Sequence, residues 1–211
     1  MIDHLVLGCA DLEEGRAWLR REAQIELLPG GSHPGRGTCN ALGSLGAGCY
    51  LELLAPDPEQ GVPVVELASL AQPALVHWAV RATPLHQVHA RAQDVGCSTA
   101  GPADWERHTA SGALLRWQLL FLAGHGAGAA MPFFIDWLDS PHPSQATSPC
   151  GELLGLQVSS PQAERVRDVI GDDLPLAVLT TAAEPALRAR LQTHAGEVLL
   201  DAASPFPQGL A

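Results

Sequence analysis

Two stretches of the chain repeat one another, and the repeat constrains the fold more than any other feature. Ile2-Asp3-His4-Leu5-Val6-Leu7 and Leu75-Val76-His77-Trp78-Ala79-Val80 each set one histidine into an otherwise apolar, β-rich run. The first is followed by Asp11 to Glu22, acidic at its start and carrying Arg16, Arg20 and Arg21 later, as the helix dipole favours. Turn-rich sequence from Pro29 to Gly37 leads into the run Thr38 to Leu45, the hairpin signal Gly46-Ala47-Gly48, and an apolar run from Cys49 to Ala55. The second unit repeats the order, with a strand at Ala74 to Arg81, a helix at Pro84 to Val95, and strands at Leu114 to Leu122 and Met131 to Leu138. Each unit is read as β, α, β, β, β, over residues 1–60 and 74–140, with no bounds given to the strand that follows its helix. A shorter third unit, 150–203, shows a strand at Leu153 to Ser159, a helix at Pro161 to Ile170 and strands near Leu176 to Thr180, Ala186 to Gln192 and Glu197 to Asp201, with no histidine in its first strand. The fold class expected is α+β, with paired βαβββ modules and a shorter βαβββ-like C-terminal module. Ser140 to Pro149, rich in Pro and Ser, is the expected linker.

Composition narrows the function. Hydrophobic residues are 46% of the 211 and charged residues 17%, so a sizeable core can form. The formal charge of -11 repels phosphate backbones and anionic membrane surfaces, and no basic cluster offsets it. Nucleic acid and membranes are excluded as partners, and a small molecule is expected. No apolar run is long enough for a membrane span, and Met1 to Glu14 lacks the basic flank of a secretory signal, so a cytoplasmic location is expected. Five dispersed cysteines without a C-x-x-C pair read as small buried apolar residues.

The chemistry lies in polar groups on apolar strands. Laying Tyr50-Leu51-Glu52-Leu53-Leu54 over Phe134-Ile135-Asp136-Trp137-Leu138 puts one carboxylate in each closing strand. A strand apolar on both faces is buried on both, and a charge inside it must be paired, hydrogen-bonded or metal-bound. If the modules pair about a pseudo-twofold axis, His4, Glu52, His77 and Asp136 converge as two imidazoles and two carboxylates. Such a set suits a divalent ion, whether Zn, Ni, Mn, Co or Fe. The bland alternative is a site where both carboxylates merely hydrogen-bond the histidines. Asn40, sharing a face with Thr38 and Leu42, is a candidate to orient a substrate oxygen or a ligand carboxylate. Arg116, with Arg36 and Arg81, is a candidate binder of an anionic substrate, and His142 a candidate at the cleft mouth beside His125 of the loop Gly124 to Gly128, read as a mobile cover. His86 and His89 are read as surface residues.

The segments IDHLVLG, GRGTCNAL, YLELLAP, LVHWAVR and PFFIDW, with the His-Pro pair at His142, resemble the vicinal oxygen chelate superfamily, and its glyoxalase-like domains in particular. The resemblance covers about residues 1–143. It implies a lyase or isomerase in which His4, Glu52, His77 and Asp136 hold one metal ion that stabilises an enediolate, with Glu52 moving the proton. It equally implies, as an alternative, a ring-cleaving dioxygenase with Fe(II) on His4, His77 and Asp136, where Asp136 is one methylene shorter than the usual Glu. Glu52 favours the non-oxidative reading, since a fourth protein ligand fills an open iron position. A non-catalytic binding or resistance protein is the remaining alternative. Both modules lie in one chain, so a homodimer is compatible with the sequence and not required by the site.

Overall fold

The first strand, β1 (Ile2–Gly8), is buried along its whole length, and the rest of the first module is laid beside it. α1 (Leu12–Ala23) starts where Asp11 accepts the Glu14 amide at 2.9 Å, and it ends at Gln24 in the left-handed region. β2 (Leu28–His33), β3 (Thr38–Ser44) and β4 (Tyr50–Pro56) complete the module. A link bearing the single-turn α2 (Val65–Ala68) leads to β5 (Ala74–Arg81), α3 (Leu85–Asp94), β6 (Ala103–His108), β7 (Leu114–Leu120) and β8 (Phe133–Asp136). The third unit is β9 (Glu152–Ser160), α4 (Ala163–Ile170), β10 (Ala177–Thr181), β11 (Ala186–Thr193) and β12 (Gly196–Asp201). This computed structural model describes residues 1–108, 112–171 and 174–202, so residue 203, the last of the expected third unit, lies outside the described residues.

The first two modules share one eight-stranded sheet in the order β2-β3-β4-β1-β5-β8-β7-β6. In each module the first strand runs parallel to the last, and β1 and β5 join the modules antiparallel. Leu5 pairs with Trp78 at the centre of that seam, which carries His4 onto His77 and Val6 onto Ala79. The sheet curls until its edges approach: Arg107 of β6 donates to the Gly30 carbonyl of β2 at 2.6 Å. Both of these edge strands, LPGGSH and ADWERH, are short on apolar residues, because an edge strand pairs on one side only and faces solvent.

Alternation divides the sheet into two faces. Leu5, Leu7, Leu51, Leu53, Trp78 and Phe134 pack with the helices in one large core, which also takes in Leu187, Ala189 and Leu191 of the third unit. Val6, Leu42, Tyr50, Val76, Trp117, Phe133 and Ile135 form a second cluster on the inner, concave face. The third unit has the expected order of elements but a different pairing, β10-β9-β11-β12, with its first strand parallel to the next strand rather than to the last. The expected linker is built into the structure: Ser44 donates to the Ser148 carbonyl at 2.9 Å, Cys150 donates back to the Ser44 carbonyl at 2.8 Å, and His142 is buried. Four of the five cysteines are buried, and all are free thiols. Among the described residues no helix is long and apolar enough to cross a membrane.

Candidate active site

The concave face encloses a cavity of about 570 Å³, a size that suits a small organic molecule. His4, Asn40, Glu52 and His77 line it, together with Tyr50 and Phe133. Its wall comes from alternate residues of β1, β3, β4, β6, β7 and β8, while β5 gives the neighbours Val76 and His77 at a shift in its register against β1.

His4 is the most constrained of them. A bulge in β1, between Ile2 and His4, brings the Asp3 carboxylate within 2.7 Å of the His4 Nδ1 atom. Asp3 is wholly buried and also accepts from Arg81 Nε at 2.7 Å, His142 Nε2 at 3.1 Å and the Trp137 indole at 3.1 Å. Burial works against the charge on Asp3, but the hydrogen bonds from His142 and His4 outweigh it and hold the carboxyl well below its ordinary 3.8. An ionised Asp3 keeps a proton on His4 Nδ1 and turns Nε2 into the cavity, the arrangement by which carboxylates orient working imidazoles. The Tyr50 ring stacks on the imidazole with centroids 4.4 Å apart and fixes its plane.

His4 Nε2 faces Glu52 Oε2 at 3.6 Å, too long for a direct hydrogen bond and short enough for one atom to reach both. The other Glu52 oxygen accepts from Asn40 Nδ2 at 2.6 Å. Asn40 also meets His33 Nε2 at 3.2 Å, and His33 in turn meets Thr38 Oγ1 at 2.8 Å through Nδ1. Burial above all lowers the His33 pKa, with Arg107 acting in the same direction and Glu52 against it, so His33 serves Asn40 as a neutral acceptor. Gly30 is required beside this chain, since a Cβ there would collide with Asn40 Oδ1.

The second histidine is held by its own strand. His77 Nδ1 lies 3.1 Å from the Trp78 amide, a donor, and 3.3 Å from the Trp78 carbonyl, an acceptor, so the backbone accommodates either tautomer of the neutral ring. His4 offers a lone pair at Nε2.

The four-donor arrangement expected from the sequence does not form. Val6 lies opposite Glu52 and Ala79 opposite Phe133, so the seam symmetry makes Phe133, not Asp136, the counterpart of Glu52. The sequence overlay was out by three residues, and an odd slip turns a strand over. Phe133, Ile135 and Trp137 face the cavity, while Asp136 lies on the opposite face, buried, its Oδ1 accepting the Leu138 amide at 3.0 Å. The Phe133 ring stands between the histidines, its centroid 5.3 Å from that of His4 and 5.1 Å from that of His77. Among the described residues no three His, Cys, Asp or Glu side chains form a group able to hold a metal ion. With Asp136 on the opposite face, this donor set does not fit the divalent ion, and the iron triad of His4, His77 and Asp136 is likewise not assembled.

Three further expectations are corrected. Arg116 is on the surface beside Glu106 at 3.5 Å, outside the cavity wall. His142 lies behind the wall, bonded to Asp3 and to Ser144 Oγ at 2.7 Å, so it braces the site and is outside the cavity lining. The loop of His125 packs toward α4, with Arg165 donating to the His125 carbonyl at 3.1 Å, and His125 is also outside that lining. The sequence reading missed Asp3, Tyr50, Phe133 and Arg107 as site residues.

Over residues 2–171 the sequence matches the model of the glyoxalase-like domain. The chain belongs to that family. Glyoxalase-like domains are part of the vicinal oxygen chelate superfamily, as is methylmalonyl-CoA epimerase. A crystal structure of a hypothetical protein from Staphylococcus aureus resembles this glyoxalase-like protein with a TM-score of 0.62 at 18% identity, covering 95% of this chain and 84% of that one. Methylmalonyl-CoA epimerase from Mycobacterium tuberculosis aligns at 19% identity over 64% of this chain and 84% of its own, with a TM-score of 0.42. The first likeness shows the fold alone, and nothing about the reaction follows from the second. No curated protein matches the sequence.

The half-buried His77 of this glyoxalase-like domain gives a pH signature. Burial, the largest influence, pushes its pKa from 6.5 down to about 4. Between those values the unfolded chain takes up a proton that the folded chain refuses, so stability rises with pH across the window. Urea unfolding is expected to show lower stability at pH 5 than at pH 7, and His77→Gln is expected to shrink that difference. An equal drop in both proteins would remove His77 as its source.

Proposed function

We propose that this glyoxalase-like protein is an isomerase or lyase acting on a small organic molecule with neighbouring oxygen atoms, and that Glu52 moves the proton. The observation that carries this reading is the placement of Glu52. Its carboxylate sits in an apolar cavity, held on one oxygen by Asn40 and set 3.6 Å from an imidazole nitrogen that Asp3 orients. A base so placed works in a water-poor site where charge interactions are strong. As it removes a proton from carbon, the negative charge gathers on the adjacent oxygens. In its Nε2–H tautomer His77 supplies a neutral hydrogen-bond donor for one of them, and His4 is placed to share the proton held by Glu52. In the resembling enzymes a divalent ion supplies that charge stabilisation. The donor set here does not fit the ion, so no step is assigned to one.

A carrier that binds its ligand without chemistry is the second reading, favoured by the aromatic wall and by Phe133 in place of a second carboxylate. Incubation with a panel of 2-hydroxy ketones and 2-hydroxy aldehydes in D2O separates the two. Proton transfer is expected to erase the NMR signal of the carbon-bound hydrogen next to the oxygens for at least one member. Ligands that bind throughout the panel with every such signal preserved would favour the carrier.

A further inference from the structure

The chain has no lysine, and most of its twelve arginines are engaged by carboxylates or carbonyl groups. Arg36 and Arg107 are the two arginines at the cavity wall. Among the described residues neither forms an ion pair with a carboxylate. The Arg36 guanidinium lies 4.1 Å over the Trp105 ring, and Arg107 spends one nitrogen on the Gly30 carbonyl. Trp105 adds a second, independent sign. Its indole Nε1 is buried and has no hydrogen-bond partner among the described residues, a state that costs about 1–3 kcal/mol unless an acceptor arrives. The three donors occupy one wall, where the edge strand β6 meets the turn between β2 and β3. The nearby carboxylates are taken up elsewhere: Glu106 faces Arg116 at 3.5 Å, and Asp104 accepts from Gln118 at 2.9 Å.

The remaining wall is aromatic. Tyr50, Trp105, Trp117, Phe121, Phe133 and Trp137 all line this cavity, six of the ten Phe, Trp and Tyr residues in the chain. Trp117 lies 5.5 Å from Trp137, and Phe121 stacks on Phe133 at 5.2 Å, so two slabs of π surface face the space between them and Glu52. Planar rings pack well against such slabs. In a chain of net charge -11 an anion is repelled everywhere except where unpaired cations collect.

We propose that the cavity binds an aromatic carboxylate, with the anionic group at the wall of Arg36, Trp105 and Arg107 and the ring among the aromatic side chains. This names the ligand class of the site in the preceding reading, and it rests on that reading only in placing the reacting end at Glu52. The carboxylate cannot sit at that end, where Glu52 would repel it.

The test is binding of 2-naphthoate and its neutral counterpart 2-naphthamide to the full chain, followed by tryptophan fluorescence. The naphthoate is expected to bind at least tenfold more tightly than the amide, and 0.5 M salt is expected to weaken the naphthoate alone, since exposed charges are screened. Arg36→Gln is expected to lower naphthoate affinity about fivefold to tenfold and leave the amide unchanged. Arg107→Gln is expected to do the same, and because Arg107 also ties β6 to β2, Arg36→Gln carries the decision if the Arg107 variant folds poorly. Equal affinity for acid and amide, no binding of either, or an Arg36 variant that keeps the full preference would overturn the proposal. Glu52→Gln separates it from the proton-transfer reading: that variant is expected to bind naphthoate at least as well as the wild type, while the exchange reaction is lost.

Discussion

Asp3→Ala is expected to cost about 3–5 kcal/mol of stability, the loss typical when one member of a buried charge network is removed. Arg81, His142, His4 and the Trp137 indole all donate to this one carboxylate, and alanine leaves each donor without its acceptor. In a chain of this length the loss corresponds to roughly 10 °C in Tm. Asp3→Asn keeps the shape and one acceptor but loses the charge, so it is expected to fall between alanine and wild type. The contribution of Asp3 also has a defined pH range. Its folded pKa lies below the unfolded value of 3.8, so the stabilisation is complete above that value and disappears as the pH falls further. Thermal melts of the two variants at neutral pH check the prediction, and an alanine variant as stable as the wild type would show that the donors find other partners.

Glu52→Gln is expected to lower the rate of proton exchange about 10²–10⁴-fold, the usual worth of a positioned general base. Glutamine has the same shape and offers its carbonyl oxygen to Asn40 Nδ2, so binding is expected to persist. That split between turnover and affinity distinguishes a base from a residue that only supports the wall. Asp136→Asn gives the contrast, because that carboxylate faces the opposite side of the sheet, and it is expected to leave the exchange rate near the wild-type value.

Much of the fold was legible because the two modules repeat in hydropathy and in the place of a histidine. The strands and helices of the third unit also fell within a residue or two of their observed bounds, since their turn residues are clear. β2 and β6 escaped detection. Edge strands have no buried face on one side, so LPGGSH and ADWERH lack the apolar alternation by which strands are read. The elements least visible in the sequence thus carry His33, Trp105 and Arg107. The pairing of His4 with His77 was read correctly from register, because both strands lie on the twofold seam. The closing strands were matched by their carboxylates instead, and the overlay of Asp136 on Glu52 slipped by three residues. Nothing local could reveal the error, since both Phe133 and Asp136 sit in apolar runs, and only the pairing of Phe133 with Ala79 fixes which one faces inward. Asp3 was passed over for a similar reason: strand alternation places it away from His4, and the bulge that unites the two has no sequence signal.

In the proposed function Glu52, aimed by Asn40 and seconded by an Asp3-oriented His4, moves the proton without a four-donor metal shell. The direct measurement is the exchange of carbon-bound hydrogen for deuterium in a turned-over substrate, followed by NMR with a strong chelator present throughout. Exchange that continues undiminished in the wild type and is lost in Glu52→Gln is the predicted result. Exchange that stops with the chelator and returns with added divalent metal, or that survives in Glu52→Gln, would contradict it.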